Sequence, residues 1–123
     1  MNLVDSCGWL EYCADTPMAS LYESAILAKD ELLVPTVCIY EVYRRLIFQT
    51  NRELADSAEA AMRQGRVVNL DAFTARIAAG LGLEYKLPFA DSIILATARA
   101  HKATIWTHDA HFRDMPGVRF CEA

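Results

Sequence analysis

The feature of this sequence that most constrains its fold is the alternation of short apolar runs with longer segments of helical character. Five runs have the length of a β-strand, at residues 2–4, 32–34, 67–70, 103–106 and 118–120. Short strands joined by helices form a parallel sheet with right-handed crossovers. We therefore predict an α/β fold, in which a ligand would lie beyond the carboxyl ends of the strands.

Helix-start signals divide the segments between these strands. Ser6 is predicted to cap the first helix, and Pro17 is predicted to occupy the first position of the second helix, after Thr16. The other predicted helices run from Thr36 to about Gln49, from Asn51 to Gln64, from a cap at Asp71 through Leu81, and from Pro88 to near His101.

Composition restricts the function as well as the fold. A chain of 123 residues fits one domain, and a hydrophobic content of 54% excludes a disordered protein and favours association with a second chain. The net charge of −4 argues against binding of nucleic acid through a broad basic surface. It is compatible with a nuclease, in which acidic residues bind metal and a few arginines hold the substrate.

Cysteine usage and hydropathy indicate the compartment. The four cysteines lack the paired spacing of a zinc site, the three histidines complete no such pattern, and reduced thiols are predicted. A strand-like run begins at residue 2, and no apolar stretch is long enough to cross a bilayer. These features predict a cytoplasmic protein that does not enter the membrane.

Two acidic residues directly follow predicted strands. Asp5 comes after the first strand, and Asp109 comes after the fourth. Because the carboxyl ends of parallel strands meet at one edge of a sheet, both carboxylates are expected there. Each acid also fits a turn or a helix cap, an alternative that the sequence leaves open.

Two further acids lie within predicted helices. Asp91 shares a helical line with apolar residues such as Ile94, and a carboxylate in such a place needs a cation or strong hydrogen bonds. Its alternative role is that of a favourable acid at a helix N-terminus. Glu41 lies near Arg44 and Arg45 in the sequence, a spacing that also fits a solvated ion pair. Its helix is apolar nearly all round, however, and this favours a covered carboxylate.

Brought together, the four acids would form a site for a divalent cation. Clustered carboxylates repel one another and raise each other's pKa unless a cation neutralises them. Oxygen-rich sites suit Mg²⁺, and Mn²⁺ is expected to support activity as well. Such an ion polarises a phosphate and activates water for in-line attack, so the pattern favours hydrolysis of a phosphodiester bond.

Four segments together resemble the PIN-domain ribonucleases, and the VapC group of toxins in particular. Residues 4–11 (VDSCGWLE) look like the opening motif of the family, and Glu41 looks like its second acid. Residues 87–98 (LPFADSIILATA) are similar to the family's most recognisable segment, and residues 107–112 (THDAHF) resemble its T-x-D-x-x-F motif. The resemblance covers the whole chain, with the motifs in the right order.

The resemblance implies a fold, an activity and a set of partners. The fold would be a PIN-like three-layer sandwich, with a central parallel sheet of order 3-2-1-4-5 flanked by helices, in a single PIN domain over residues 1–123. The activity would be that of a metal-dependent endoribonuclease, the toxin of a toxin–antitoxin module. The expected partners are RNA, with transfer RNA as the first candidate, a small antitoxin protein, a second copy of the chain, and DNA only through the antitoxin.

The resemblance also implies roles for individual residues. By position, Asp5, Glu41, Asp91 and Asp109 would bind the metal ion, Mg²⁺ or Mn²⁺. Thr107 would position one of these carboxylates.

Three residues are candidates for contact with substrate. Ser6 is a further candidate for positioning, and Arg44 and Arg45, one helical turn after Glu41, are candidates for holding the RNA backbone. Surface ion pairing or contact with an antitoxin is the alternative for the two arginines. Both histidines of the last motif occupy variable positions and are interpreted as bystanders.

Three other functions fit parts of the pattern. A non-enzymatic binding module on this fold would lack the metal-binding acids. A response-regulator-like domain would need a second acid beside Asp5 and a lysine near the last strand, where residues 117–123 contain none. Within the PIN family, an RNA-processing role, or a role as a non-cleaving partner in a DNA-bound regulatory complex, is the remaining alternative.

Overall fold

A computed structural model, which describes residues 1–122, contains one five-stranded sheet. The strands are β1 (Asn2–Val4), β2 (Leu32–Pro35), β3 (Arg66–Val68), β4 (Thr104–Thr107) and β5 (Val118–Phe120). Neighbouring strands are parallel throughout, and their spatial order is β3-β2-β1-β4-β5. The predicted α/β fold and strand order are therefore confirmed.

Six α-helices flank the sheet within residues 1–122. They are α1 (Ser6–Cys13), α2 (Ser20–Leu27), α3 (Thr36–Gln49), α4 (Arg52–Met62), α5 (Ala72–Tyr85) and α6 (Phe89–Ala100). Single-turn 3-10 helices cover Lys29–Glu31 and Ala110–Phe112. None of the helices in this part of the chain has the length and apolar character needed to cross a bilayer.

The start of α1 differs from the prediction in a way that affects the site. Ser6 is not the cap but the first helical residue, and Asp5 is the N-cap. The Asp5 carboxylate accepts a 2.7 Å hydrogen bond from the backbone N–H of Ser6. A carboxylate is a stronger acceptor than a hydroxyl, and its negative charge is favourable at a helix N-terminus.

The start of α2 was also predicted wrongly. The helix begins at Ser20 rather than at Pro17. The backbone N–H of Ala19 donates to the carbonyl of Thr16 at 2.9 Å, so the chain forms a tight turn before the regular helix starts. Proline at this point begins the turn rather than the helix.

The third strand is shorter than predicted. It ends at Val68 rather than at Leu70, and Val68 pairs with Pro35, the last residue of β2. Beyond Pro35 the chain turns into α3, so β2 offers no further backbone to pair with. The length of β3 is therefore set by its neighbour.

The sheet forms the centre of the core, and α6 is the helix with the most buried residues. Val4, Leu33, Val34 and Ile105 are buried in the inner strands. In α6 every residue from 91 to 98 is buried, whereas α5 buries a single residue, Ala78. Core packing therefore fixes the position of any side chain carried by the first turns of α6.

Candidate active site

The carboxyl ends of β1 and β4 bring a carboxylate and a hydroxyl together. Val4 pairs with Trp106, so the residues that follow, Asp5 and Thr107, lie side by side, and both are buried. Thr107 Oγ1 donates a 2.8 Å hydrogen bond to Asp5 Oδ2 and accepts a 2.9 Å hydrogen bond from the backbone N–H of Asp109. One hydroxyl thus links the two acids that follow strands, and the structure places both at the same edge of the sheet.

Asp91 and Asp109 meet at the imidazole of His111. Asp109 caps the single-turn helix Ala110–Phe112, where its carboxylate accepts from the backbone N–H of His111 at 2.9 Å. His111 Nδ1 lies 2.9 Å from Asp91 Oδ2 and 2.9 Å from Asp109 Oδ1. One ligand atom from each of the three residues lies within 4.8 Å of the others.

This geometry corrects the interpretation of one histidine. His111 is not a bystander of the acidic site, because the single-turn helix folds its ring back between two carboxylates. His108 points elsewhere, since its Nδ1 forms a hydrogen bond with the hydroxyl of the buried Tyr22.

Glu41 approaches Asp5 and Asp109 from α3, and the space beside these acids and Asp91 is called the acidic cleft. Its side chain is partly buried, and its Oε1 atom is buried without a hydrogen-bond partner within residues 1–122. Burial raises the pKa of Glu41, and the charges of Asp5 and Asp109 add to this rise, while the nearby Ser6 hydroxyl opposes it. The covered carboxylate predicted from the sequence is therefore what the structure contains.

The electrostatics of the other acids indicate one shared environment. Burial raises the pKa of Asp91 to about 7, and the charges of Asp109 and Asp5 add to the rise. Burial also raises the pKa of Asp5, against the opposing effect of its hydrogen bond from Thr107. Each of these shifts includes repulsion from another of the four acids, so the quartet lies close enough to repel.

The residues present fit a divalent cation. Carboxylate oxygens are the ligands that Mg²⁺ and Mn²⁺ prefer. The unpartnered Oε1 of Glu41 is a buried acceptor that a cation would satisfy, because buried polar atoms without a partner are rare in folded proteins. A cation would also neutralise the repulsion that raises the pKa of Asp91.

A groove of about 800 Å³ lies along α3 beside this cleft. Its wall includes Ser6, Tyr40, Glu41, Arg44, Arg45 and Phe48. The groove thus contains all three residues predicted to contact substrate. The positive charge of Arg45 opposes the rise in the pKa of Glu41, which indicates that the guanidinium lies near the acidic cleft.

Two side chains near the acids were missed by the sequence reasoning. Cys7 Sγ lies 3.4 Å from Thr107 Oγ1 and 3.8 Å from Asp5 Oδ2, and burial together with the charge of Asp5 raises its pKa to about 11. The other is His111. Each follows a strand-end acid by two residues, within a helical turn that the acid caps, and that spacing was the available signal.

Comparison with known proteins gives the family and relatives of the same fold. The PIN domain family matches residues 3–118, and no curated protein matches the chain. A toxin–antitoxin complex from Klebsiella pneumoniae contains a chain of similar structure, with a TM-score of 0.83 and 21% identity over 99% of this chain and 98% of that one.

Two further structures extend the likeness. VapC20 of Mycobacterium tuberculosis, a toxin that cleaves the sarcin-ricin loop, has a TM-score of 0.72 and 17% identity over 88% of each chain. VapBC2 of Rickettsia felis, bound to a DNA fragment from its promoter, has a TM-score of 0.77 and 13% identity over 98% of each chain. At these identities the likeness establishes the fold, and the family match over residues 3–118 establishes more: the chain belongs to the PIN domain family.

Proposed function

We propose that this chain is a metal-dependent endoribonuclease and the toxin of a toxin–antitoxin module, acting in the cytoplasm as a single PIN domain. The observation that carries the proposal is the meeting of Asp91 and Asp109 at His111, with Asp5 joined to Asp109 through Thr107. Glu41 adds a buried oxygen without a partner, on which the charges of Asp5 and Asp109 act. Membership of the PIN family and the toxins among the structural relatives support it.

Asp5, Glu41, Asp91 and Asp109 would hold the metal ion. A bound Mg²⁺ or Mn²⁺ would polarise the scissile phosphate and supply an activated water for in-line attack. Hydrolysis with departure of the 3′ oxygen gives products with a 5′-phosphate and a 3′-hydroxyl.

The remaining residues orient these carboxylates. Thr107 fixes Asp5 Oδ2 by its 2.8 Å hydrogen bond, and the backbone N–H of Ser6 fixes Asp5 Oδ1 at 2.7 Å. His111 bridges Asp91 and Asp109. It therefore helps to hold Asp109, whose position otherwise depends on a single helical turn. Rigid carboxylates matter because phosphoryl chemistry depends on positioning of the reacting groups.

The substrate would be held from the α3 side of the cleft. Arg44 and Arg45 are exposed on the groove wall, and a guanidinium donates to phosphate through two parallel N–H groups. We propose that they contact RNA phosphates beside the bond that is cut. Transfer RNA is one candidate substrate, and the sarcin-ricin loop cut by the mycobacterial relative makes a ribosomal loop another.

The proposed partners are a small antitoxin and a second copy of the chain. Two of the structural relatives are toxin–antitoxin complexes, and one of these is bound to promoter DNA, which supports an antitoxin partner through which DNA is contacted. Self-association is supported by large apolar side chains that α3 and α5 expose, namely Tyr40, Ile47, Ile77 and Leu83.

The proposal is tested by Asp91→Asn, with the exposed Asp30→Asn as a control of equal charge change. Removal of a metal-binding carboxylate at the centre of the cluster is expected to lower RNA cleavage by about a thousandfold or more, because several kcal/mol of transition-state stabilisation depend on the ion. Cleavage of total RNA is measured with a Mg²⁺ titration, and growth is followed after induction in a bacterium.

We expect growth arrest and RNA fragments with the wild type and Asp30→Asn, and neither with Asp91→Asn. Normal cleavage by Asp91→Asn at saturating Mg²⁺ would contradict the metal-site assignment. Cleavage in vitro without growth arrest would favour an RNA-processing enzyme over a toxin. Relief of the arrest by a small reading frame adjacent to the gene would identify the antitoxin.

A further inference from the structure

One face of α3 carries an ordered series of side chains that starts in the acidic cleft. Glu41, Arg44, Arg45 and Phe48 follow the spacing i, i+3, i+4 and i+7, which places them in line on one side of a helix. All four also line the groove beside the cleft. The series runs from a carboxylate, through two cations, to an aromatic ring.

The last member of this series is unusually exposed. The side chain of Phe48 is 87% accessible, more than any other large apolar residue within residues 1–122. Its ring therefore packs against little of the chain and leaves its faces free. Aromatic rings with free faces stack on unpaired bases, and such stacking is tolerant of base identity.

The charges between the two ends of the series favour a polyanion as the occupant. Within residues 1–122 neither Arg44 nor Arg45 has a carboxylate within 4.0 Å, although both lie on a protein of net charge −4. Only Arg63 and Arg113 among the arginines of residues 1–122 are paired with glutamates, at 2.8 and 2.7 Å, and what distinguishes Arg44 and Arg45 from the other unpaired arginines is that they line this groove. Two unpaired guanidiniums beside a site for phosphate chemistry complement the charge of an RNA backbone.

We infer that this face of α3 is a subsite for unpaired RNA, in which Arg44 and Arg45 hold backbone phosphates and Phe48 stacks on a base next to the bond that is cut. The inference rests on the proposed ribonuclease function. Phe48 lies seven residues beyond Glu41, about 10 Å along the helix axis, so the stacked base belongs to a neighbouring nucleotide. A base inside a duplex has its faces covered, so the subsite selects single-stranded segments such as loops.

Binding and cleavage are separated in the experiment by using the Asp91→Asn chain as the parent. The probe is a fluorescein-labelled, uridine-rich RNA of twelve nucleotides, free or annealed to its complement, and affinity is measured by fluorescence anisotropy with Mg²⁺ present. Phe48→Ala is compared with Phe48→Trp, which keeps an aromatic surface. The matched control is Phe73→Ala, since Phe73 is 72% accessible on α5 and does not line the groove.

We expect Phe48→Ala to weaken binding of the single strand by about tenfold, with little change for Phe48→Trp or Phe73→Ala. The duplex should bind more weakly than the single strand and should be insensitive to Phe48. Unchanged affinity in Phe48→Ala, with weaker binding after replacement of Arg44 and Arg45 by alanine, would overturn the stacking role and leave the ribonuclease proposal intact.

Two other outcomes would overturn the inference in different ways. If Phe48→Ala loses the self-association that the parent chain shows in light scattering, whether or not its RNA affinity changes, Phe48 would be assigned to a protein interface. Failure of the parent and all variants to bind either RNA, together with absence of cleavage by the wild type, would remove the ribonuclease proposal as well.

Discussion

The two sides of the acidic cleft are built differently. On the strand side, Asp5 accepts hydrogen bonds from Thr107 and from the backbone of Ser6, and Thr107 also ties down Asp109. On the α3 side, Glu41 has a buried oxygen without a partner. Hydrogen bonds within the chain therefore orient the strand-side carboxylates, whereas Glu41 on α3 keeps a buried acceptor that a bound cation would satisfy.

Asp91 provides the strongest test of this contrast, because it is rigidly placed yet repelled by its neighbours. Its pKa is raised to about 7 from 3.8, so in the metal-free protein the folded state binds a proton more tightly than the unfolded state. Stability from this group is therefore full below about pH 4 and is lost as the pH rises towards 7. Relative to Asp91→Asn, we expect the wild-type melting temperature in EDTA to fall by about 5–10 °C across this range.

The measurement is thermal unfolding of both chains from pH 4 to pH 8. Addition of Mg²⁺ at pH 8 should restore most of the wild-type deficit and change Asp91→Asn little, because only the wild type has the complete acid cluster. Parallel pH profiles for the two chains without metal would mean that burial and the charges of Asp109 and Asp5 do not raise the pKa of Asp91 as described.

Gly8→Ala tests how tightly the strand side is joined to the core. A Cβ atom at Gly8 would lie 2.5 Å from the ring of Tyr22 and 2.8 Å from Val4 Cγ1, and both neighbours are buried. We expect a loss of about 3 kcal/mol in the free energy of unfolding, despite the better helix propensity of alanine. Gly80→Ala is the control, since nothing lies within 4 Å of its Cβ position, and a gain of about 0.5–1 kcal/mol is expected there.

Both glycine variants are compared by urea denaturation at equal pH. If Gly8→Ala is as stable as the wild type, the segment between Asp5 and Tyr22 adapts easily, and the strand side is less rigid than its hydrogen bonds indicate.

Thr107→Val removes the hydroxyl that joins the two strand-end acids while keeping the side-chain shape. The backbone N–H of Asp109 would lose its acceptor and Asp5 Oδ2 would lose its donor, both in a buried place. We expect a loss of about 2 kcal/mol in the free energy of unfolding. Thr107→Ser, which keeps the hydroxyl, should retain RNA cleavage far better than Thr107→Val, whereas equal activity of the two variants would refute a positioning role.

Glu41→Gln should have the smallest effect on stability. The substitution removes a carboxyl group whose pKa is raised by burial and by the charges of Asp5 and Asp109. The Oε1 atom of Glu41 has no hydrogen bond to lose. Without metal at pH 7, we expect a gain in the free energy of unfolding of at most about 1 kcal/mol, measured in urea. A loss comparable to that of Thr107→Val would show that the α3 side is as well organised by the fold as the strand side.

The parts of the fold that follow from local patterns could be predicted. The strand order and the meeting of Asp5 with Asp109 follow from parallel strands and from a family resemblance read from ordered motifs. Asp91 could be placed because it shares a helical line with apolar residues such as Ile94, and the structure buries every residue from 91 to 98.

The parts that depend on single turns could not be predicted. His111 reaches Asp91 because the residues after Asp109 form a 3-10 turn, and the sequence offered a helix cap at Asp109 only as one of two open alternatives. The turn after Thr16 and the early end of β3 also depend on backbone partners elsewhere in the chain. Sequence patterns thus locate the acids, while backbone hydrogen bonds decide which neighbours they acquire.

The deep burial of α6 would give a bound cation a role in the lifetime of the protein. Because Asp91 begins a segment that is buried residue after residue, repulsion in the cleft acts directly on the packed interior. An ion that occupies the cleft stabilises the native chain by mass action, by about 2.7 kcal/mol at a hundred times its dissociation constant. If the proposed site holds such an ion, its withdrawal would expose the chain to proteases and stop the proposed chemistry at the same time, so the amount of the protein would follow the same ion as its activity.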